Sequence, residues 1–249
     1  MTGSEDIQRE LFTNISTRYE KHFGDKYSSL YRDLFINGPL LKGIDLAGKK
    51  VCDLMCGSGN LTGALLDRGA IVTGLDISKE QIDLFKDKWP MCEAICASIF
   101  DSGIEDASFN CVVIVGGLHH LQPRVSEAVG EICRILKPGG YFCFCEPHKD
   151  SIPDHFRRVW YSLDKLIGRN EAAIDLRALK KKFGGRFLFL RETYAGGIAF
   201  LLIFNSMVFR LPMQLKNIIA PPLMNTEKVL AKFATRGLSC ITISQWRKI

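Results

Sequence analysis

From Lys49 onward, short apolar runs alternate with amphipathic stretches, and this alternation is the strongest constraint on how the chain folds. Five runs have the length of buried strands: residues 50–55, 70–75, 91–97, 111–115 and 141–145. Three stretches between them have helical spacing: residues 61–68, 79–88 and 125–136. Strands that alternate with helices in this way form a parallel sheet covered on both faces.

The organisation changes after residue 150. Residues 154–183 are basic and are predicted to be helical, and 186–193 (RFLFLRET) and 238–246 (LSCITISQW) are predicted as two further strands. The segment of about 44 residues that joins these strands, roughly 194–237, is long for a hairpin connection. We interpret it as an inserted lid or acceptor-binding element.

The N-terminal region is predicted to form a helical cover. Apolar residues recur at four-residue spacing from Ile7 to Tyr19, and a second helical stretch continues to Leu34. The sequence Asn37-Gly38-Pro39 is expected to end it.

A glycine turn with an acid before it follows the first predicted strand. Residues 51–60 read VCDLMCGSGN, so Asp53 precedes Gly57 and Gly59 by a few residues. A dinucleotide site needs G-x-G-x-x-G to hold a pyrophosphate, and Asp53 would repel those phosphates. A ligand with a positively charged portion suits this acid. Asp76, at the end of the next apolar run, is placed to accept hydrogen bonds from both hydroxyls of a ribose.

These residues and three longer segments resemble the class I S-adenosylmethionine-dependent methyltransferases of the broad small-molecule type. The segments are VCDLMCGSGNLTGALLDRGAIVTGLDIS, SFNCVVIVGGLHHL and EICRILKPGGYFCFCEP, and the resemblance covers roughly residues 48–147. It implies an α/β, Rossmann-like, doubly wound and mostly parallel seven-stranded sheet with helices on both faces. The expected single domain, 1–249, has a helical cover (1–47), a cofactor-binding core (48–150) and a C-terminal part (151–249) that contains the lid.

The resemblance also implies roles for individual residues toward S-adenosylmethionine and its product S-adenosylhomocysteine. Asp53 and the glycine loop would face the methionine portion, while Asp76 would hold the ribose. Where the family often has an acid near the adenine, this chain has Ser98, and Asp101 is an alternative. The expected cofactor-binding residues are Tyr19, Asp53, Gly57, Ser58, Gly59, Asp76, Ile77, Ser98, Ile99 and Gly116.

A base is useful if the methyl acceptor is a hydroxyl, and histidine is the usual base near neutral pH. His119 and His120 follow the fourth predicted strand, and His148 follows the fifth. Ligands of such sheets bind beyond the carboxyl ends of the strands. Three alternatives stay open: His119 or His120 as the base, His148 as the base, or no protein base.

The charge distribution bears on partners. Residues 1–150 carry a net charge of −5, whereas residues 151–249 carry +11. Either the basic half meets an anionic partner, such as an anionic acceptor, or it is a solvated face. The apolar patch 198–211 is interpreted as a roof over a small acceptor, with peripheral membrane contact as the alternative.

Nine cysteines, an odd number, lie mostly in apolar runs, which indicates buried free thiols and a cytoplasmic location; no metal site is predicted. The start, MTGSEDIQRELF, lacks the pattern of a secretory signal. The sequence thus favours methyl transfer to a small molecule, first of all at oxygen, in natural-product or cell-surface glycan biosynthesis. RNA methylation is one alternative, although no RNA-binding module is recognisable. A non-catalytic cofactor-binding partner protein is the other, and nothing indicates the oligomeric state.

Overall fold

The computed structural model describes residues 25–156, 172–204 and 211–249, which build a seven-stranded sheet in the order β3-β2-β1-β4-β5-β7-β6. The strands are β1 Lys50–Leu54, β2 Ile71–Asp76, β3 Glu93–Cys96, β4 Phe109–Val115, β5 Leu136–Pro147, β6 Phe187–Ala195 and β7 Ile241–Lys248. The first five pair in parallel, while β7 lies antiparallel to both β5 and β6. The sheet is therefore mixed, and both predicted C-terminal strands are confirmed.

Helices lie on both faces of the sheet. They are α1 Lys26–Arg32, α2 Gly38–Leu40, α3 Thr62–Leu66, α4 Lys79–Lys88, α5 Val125–Ile135, α6 Leu176–Phe183 and α7 Met213–Leu230. Shorter turns are π-helical at Asp33–Asn37 and Phe200–Phe204, and 3₁₀ at Leu118–Leu121 and Ala231–Phe233. Two large apolar clusters result, one around Ile132 and Trp246 and the other around Tyr31 and Ile243.

Within the three described ranges, none of the helices has the length and apolar character that spanning a bilayer requires.

Local sequence signals fix α4 well. The Ser78 hydroxyl accepts a hydrogen bond from the amide of Gln81 at 3.3 Å, which satisfies one of the free N–H groups of the first turn. Ile82 and Phe85 point into the core from one face of the helix. The predicted bounds of this helix are confirmed.

Three of the differences from the predicted boundaries have a clear structural reason. β5 begins at Leu136 and not at residue 141, because Leu136 pairs with Phe109 across a bulge. Residues 172–175 are not helical, and Ile174 forms a β-bridge with His148. Near the N-terminus, helical turns continue through Gly38–Leu40, since proline is tolerated in the first turn of a helix. The predicted helices over 5–24 and 157–171 lie outside the described residues.

The connection between β6 and β7, residues 196–240, is named here the β6–β7 insertion. Its apolar residues 198–204 mostly turn inward: Ala199 and Ile203 are fully buried, and the ring of Phe204 lies 5.4 Å from that of Tyr31. The described part of the predicted 198–211 patch is therefore mainly core, with Ile198 half-exposed. Residues 205–210 lie outside the described residues.

Buried polar groups tie the insertion to α1. The Nζ of Lys216 donates to Oδ2 of Asp25 at 2.6 Å, and both side chains are almost fully buried. Glu227 accepts hydrogen bonds from the amides of Gly197 and Ala199 and from the hydroxyl of Tyr31. A buried ion pair whose partner is removed leaves an uncompensated charge. These contacts thus make the position of α7 depend on side chains far apart in sequence.

Replacing Lys216 with Ala is expected to lower the free energy of unfolding by about 3–5 kcal/mol, because Asp25 would stay buried without its cation. Lys228→Ala, at an exposed position of the same helix, is the control and should change stability by about 0.5 kcal/mol or less. The double variant Asp25→Asn/Lys216→Met should recover much of the loss. Urea unfolding measures all three, and equal midpoints for Lys216→Ala and Lys228→Ala would contradict the assignment.

Candidate cofactor and active site

The polar residues that the sequence singles out meet at one edge of the sheet. Asp76 is the last residue of β2, and Asp53 and Glu146 are the second-to-last residues of β1 and β5. Gly116 follows β4 directly. Because these strands run parallel, their carboxyl ends share an edge, which is where sheets of this kind bind ligands.

The glycine loop after β1 is shaped by contacts with its surroundings. Gly57 and Gly59 have φ angles of +53° and +80°, which residues with a side chain rarely adopt. A Cβ on Gly59 would lie 2.4 Å from the ring nitrogen of Trp89, and that nitrogen donates to the Gly59 carbonyl at 3.1 Å. The loop backbone therefore comes close to its neighbours at a position where only glycine fits.

Asp76 fixes the position of this loop. Its Oδ2 accepts a hydrogen bond from the Gly57 amide at 2.9 Å, and its Oδ1 accepts one from the Ser78 amide at 2.9 Å. Each carboxylate oxygen has a second lone pair, so both remain able to accept hydrogen bonds from a diol. Burial raises the pKa of Asp76 above its ordinary value, although these amide bonds oppose the shift.

Asp53 lies deeper and has fewer partners. Its Oδ2 accepts a hydrogen bond from the Thr62 hydroxyl at 2.9 Å. Burial raises its pKa to about 7; the Thr62 bond opposes the shift, and the nearby charge of Asp76 adds to it. Within the described ranges, no basic side chain forms an ion pair with Asp53. A buried carboxylate without a cationic partner favours binding of a positively charged ligand. S-adenosylmethionine carries a sulfonium and an ammonium group, so the residues fit that cofactor.

Glu146 organises the loop that follows β4. The carboxylate is fully buried, and its Oε1 accepts the amides of Gly117 and Leu118 at 2.8 and 2.7 Å. Its Oε2 accepts the His119 amide at 3.3 Å and lies 2.7 Å from Nδ1 of the His119 ring. A proton on Nδ1 donates to this carboxylate, which leaves the lone pair on Nε2. Glu146 therefore fixes both the conformation of the loop after β4 and the orientation of the His119 ring.

The other two candidate bases differ from His119. The His120 ring stacks on that of His119, with 3.9 Å between the ring centroids. His148 is buried, and its two ring nitrogens lie 3.1 and 3.2 Å from the carbonyl oxygens of Lys149 and Ser239. Burial lowers the pKa of His148, with the two carbonyl contacts opposing the shift. Its ring is thus held by the backbone on both sides.

The remaining predicted cofactor residues lie around the same edge. Ile77 is half-buried beyond β2, and Ser58 is buried within the glycine loop. Ser98 accepts the Phe100 amide in the turn after β3, and Ile99 packs into the core. Gly116 has a φ of +69° and donates its amide to the Cys145 carbonyl. Tyr19 lies outside the described residues.

Three contributions to the site were not foreseen from sequence. Thr62 donates to Asp53, Trp89 packs on the glycine loop, and Glu146 collects the amides after β4. The only sequence signal for Glu146 was its place at the end of a strand. Its partners became visible once β5 was seen to pair with β4.

Comparison with known proteins agrees with this geometry. Residues 52–144 match the methyltransferase domain family, and the fold is that of class I S-adenosylmethionine-dependent methyltransferases. Residues 52–144 are therefore similar to methyltransferase domains, and the carboxylates at the strand edge fit S-adenosylmethionine as the cofactor.

Individual relatives support the same assignment. Demethylmenaquinone methyltransferase of Clavibacter sepedonicus is 30% identical over 141 residues, which are 52% of this chain and 57% of that protein. Phthiotriol/phenolphthiotriol dimycocerosates methyltransferase of Mycobacterium tuberculosis is 32% identical over 145 residues, 56% of this chain and 48% of that protein. The chain thus spans about half the length of these curated relatives.

Among solved structures, magnesium protoporphyrin IX methyltransferase of Synechocystis with bound SAH has a TM-score of 0.66. The similarity covers 99% of this chain and 100% of that one at 15% sequence identity, which shows a shared fold.

Replacing Asp53 with Asn is expected to stabilise the ligand-free protein increasingly as pH rises. The folded-state pKa of about 7 lies above the ordinary 3.8, so the native state binds more protons and the wild type loses stability as pH rises between these values. The advantage of Asp53→Asn should grow by about 2–3 kcal/mol between pH 5 and pH 8, measured by urea unfolding. Exposed Asp67→Asn is the control, and parallel stability curves for wild type and Asp53→Asn would refute the raised pKa.

Proposed function

We propose that the protein transfers a methyl group from S-adenosylmethionine to a small, largely apolar acceptor, with a hydroxyl oxygen as the first candidate for the methylated atom. One observation carries this proposal: Glu146 holds Nδ1 of His119 at 2.7 Å, at the strand edge that also bears Asp53 and Asp76. A buried carboxylate that orients a histidine is a general-base arrangement.

The bound cofactor supplies a methyl group on a positively charged sulfur. Asp53 offsets that charge, and Asp76 receives the ribose hydroxyls while it holds the Gly57 amide. His119 Nε2 would accept the proton of the acceptor hydroxyl while the methyl group passes from the sulfur to that oxygen. Glu146 stabilises the resulting imidazolium through Nδ1. The rest of the rate enhancement comes from alignment and exclusion of water.

Two observations support the acceptor class. The β6–β7 insertion packs beside the carboxyl edge, where Ala220 and Met224 of α7 share an apolar cluster with Cys145 of β5 and Ile241 of β7. Two relatives carry the names demethylmenaquinone methyltransferase and phthiotriol/phenolphthiotriol dimycocerosates methyltransferase. Quinols and phenols are therefore the first acceptors to test. The basic C-terminal half would suit an acceptor that carries a negative charge.

His119→Ala is expected to lower kcat by about 10²–10⁴-fold with little change in S-adenosylhomocysteine affinity, because the variant loses the base and keeps both cofactor carboxylates. The neighbouring His120→Ala is the matched control and should retain most of its turnover. Labelled S-adenosylmethionine with a panel of quinols and phenols measures turnover, and calorimetry measures affinity. If His119→Ala turned over any acceptor of the panel as fast as the wild type does, the assignment of His119 as the base would be wrong.

A further inference from the structure

Helix α7 has an inverted distribution of charge. Its buried residues include Lys216 and Glu227, together with Ala220 and Met224. On the opposite side of the helix, four exposed apolar residues recur at intervals of one or two helical turns: Leu215, Ile218, Pro222 and Val229. Ile218 is 73% exposed, and Phe233, in the 3₁₀ turn that follows, is 71% exposed. We name these five residues the α7 outer face.

Such a face is unusual for a helix on a protein surface. Surface helices ordinarily bury their apolar stripe and expose their charges. Here two of the three charged residues of α7 are used internally, since Lys216 pairs with Asp25 and Glu227 binds the Gly197 and Ala199 amides. Exposed apolar residues that recur along one side of a helix indicate a surface that meets a partner, although here Asn225 and Thr226 lie between Pro222 and Val229.

The charge around the α7 outer face specifies the kind of partner. Residues 211–236, which hold α7 and the turn after it, contain four basic residues and one acidic residue; of these, Lys216 and Glu227 are buried. Lys228 and Lys232 are exposed next to the apolar stripe. Apolar residues flanked by lysines are the combination that binds an anionic lipid surface.

The α7 outer face also belongs to the same edge of the molecule as the candidate active site. Ala220 and Met224 on the inner side of α7 belong to the same apolar cluster as Ala195 at the end of β6 and Ile241 at the start of β7. Ile241 pairs with Pro147, one residue beyond Glu146. A bilayer under α7 would thus lie beside the edge at which the acceptor is methylated.

We propose that the α7 outer face docks the protein peripherally on an anionic lipid bilayer, from which an apolar acceptor reaches the site. The second half of this proposal rests on the proposed function, whereas docking itself is measured without methyl transfer. A second copy of the chain is a poorer occupant, because the same lysines would face each other across the contact and repel.

Flotation with vesicles of phosphatidylglycerol and phosphatidylcholine tests the docking, with pure phosphatidylcholine vesicles for comparison. Binding is expected to the anionic vesicles and to weaken with added salt. Ile218→Glu/Val229→Glu should reduce vesicle affinity by about tenfold or more, since two apolar contacts are lost. Lys228→Glu/Lys232→Glu should reduce it by about tenfold or more on anionic vesicles alone.

Met91→Glu is the matched control, because Met91 is equally exposed, at 72%, but precedes β3 at the opposite edge of the sheet. It should bind vesicles as the wild type does, and all variants should keep wild-type S-adenosylhomocysteine affinity. No flotation with anionic vesicles, or flotation that neither α7 variant reduces, would overturn the docking. A dimer seen by light scattering that Ile218→Glu/Val229→Glu dissociates would overturn it in favour of self-association. Docking without turnover on any acceptor would leave the docking supported and count against the proposed function.

Discussion

Burial of carboxylates at one edge of the sheet is the constraint on which the site depends. Asp76 and Glu146 offset the cost of burial by accepting backbone amides, and these bonds fix the two loops that line the edge. Asp53 has the Thr62 hydroxyl and no comparable set of amides. Asp76 and Glu146 therefore fix the loops of the site. Asp53 stays buried without an opposite charge, so binding of a cationic ligand would lower the cost of its ionisation.

This division explains how one sheet edge supports two kinds of chemistry. At the ends of β1 and β2, Asp53 and Asp76 are the carboxylates proposed to meet the charge and the hydroxyls of a nucleoside. At the ends of β4 and β5, the Glu146 carboxylate lies 2.7 Å from Nδ1 of His119. β1 and β4 pair with each other, so the hydrogen bonds of the sheet fix the carboxylates of the first region relative to Glu146 and His119 of the second.

Sequence predicted well whatever depends on neighbours along the chain. The bounds of α4 follow from a serine cap and a regular apolar spacing, and the glycine turn with its acid identified the class of domain. The predicted start of β5 was wrong because Lys137-Pro138-Gly139-Gly140 has the composition of a turn. The pairing of Leu136 with Phe109 extends the strand over this segment. The role of Glu146 likewise depends on a loop almost thirty residues away.

The β6–β7 insertion shows the same limit in a stronger form. Its apolar composition at 198–211 was interpreted as a roof over a small acceptor or as a membrane contact, but periodicity does not say which side of a segment another element covers. Ala199 and Ile203 are drawn inward because Glu227 binds the amides at the start of that segment and Tyr31 packs on its rings. By contrast, the outer side of α7 is exposed, whereas its Lys216 and Glu227 are buried.

The family similarity and the β6–β7 insertion lie in different parts of the chain, and this separation indicates which part selects the methyl acceptor. The matched family segment, residues 52–144, includes Asp53, Asp76 and His119 but ends before Glu146 and before the whole β6–β7 insertion. Cofactor chemistry is therefore what the chain shares with its relatives. The insertion borders the acceptor side of the edge through Ile241 and Cys145. Because folds of this class host many reactions, acceptor selectivity should be determined by the insertion, while cofactor binding stays with the shared core.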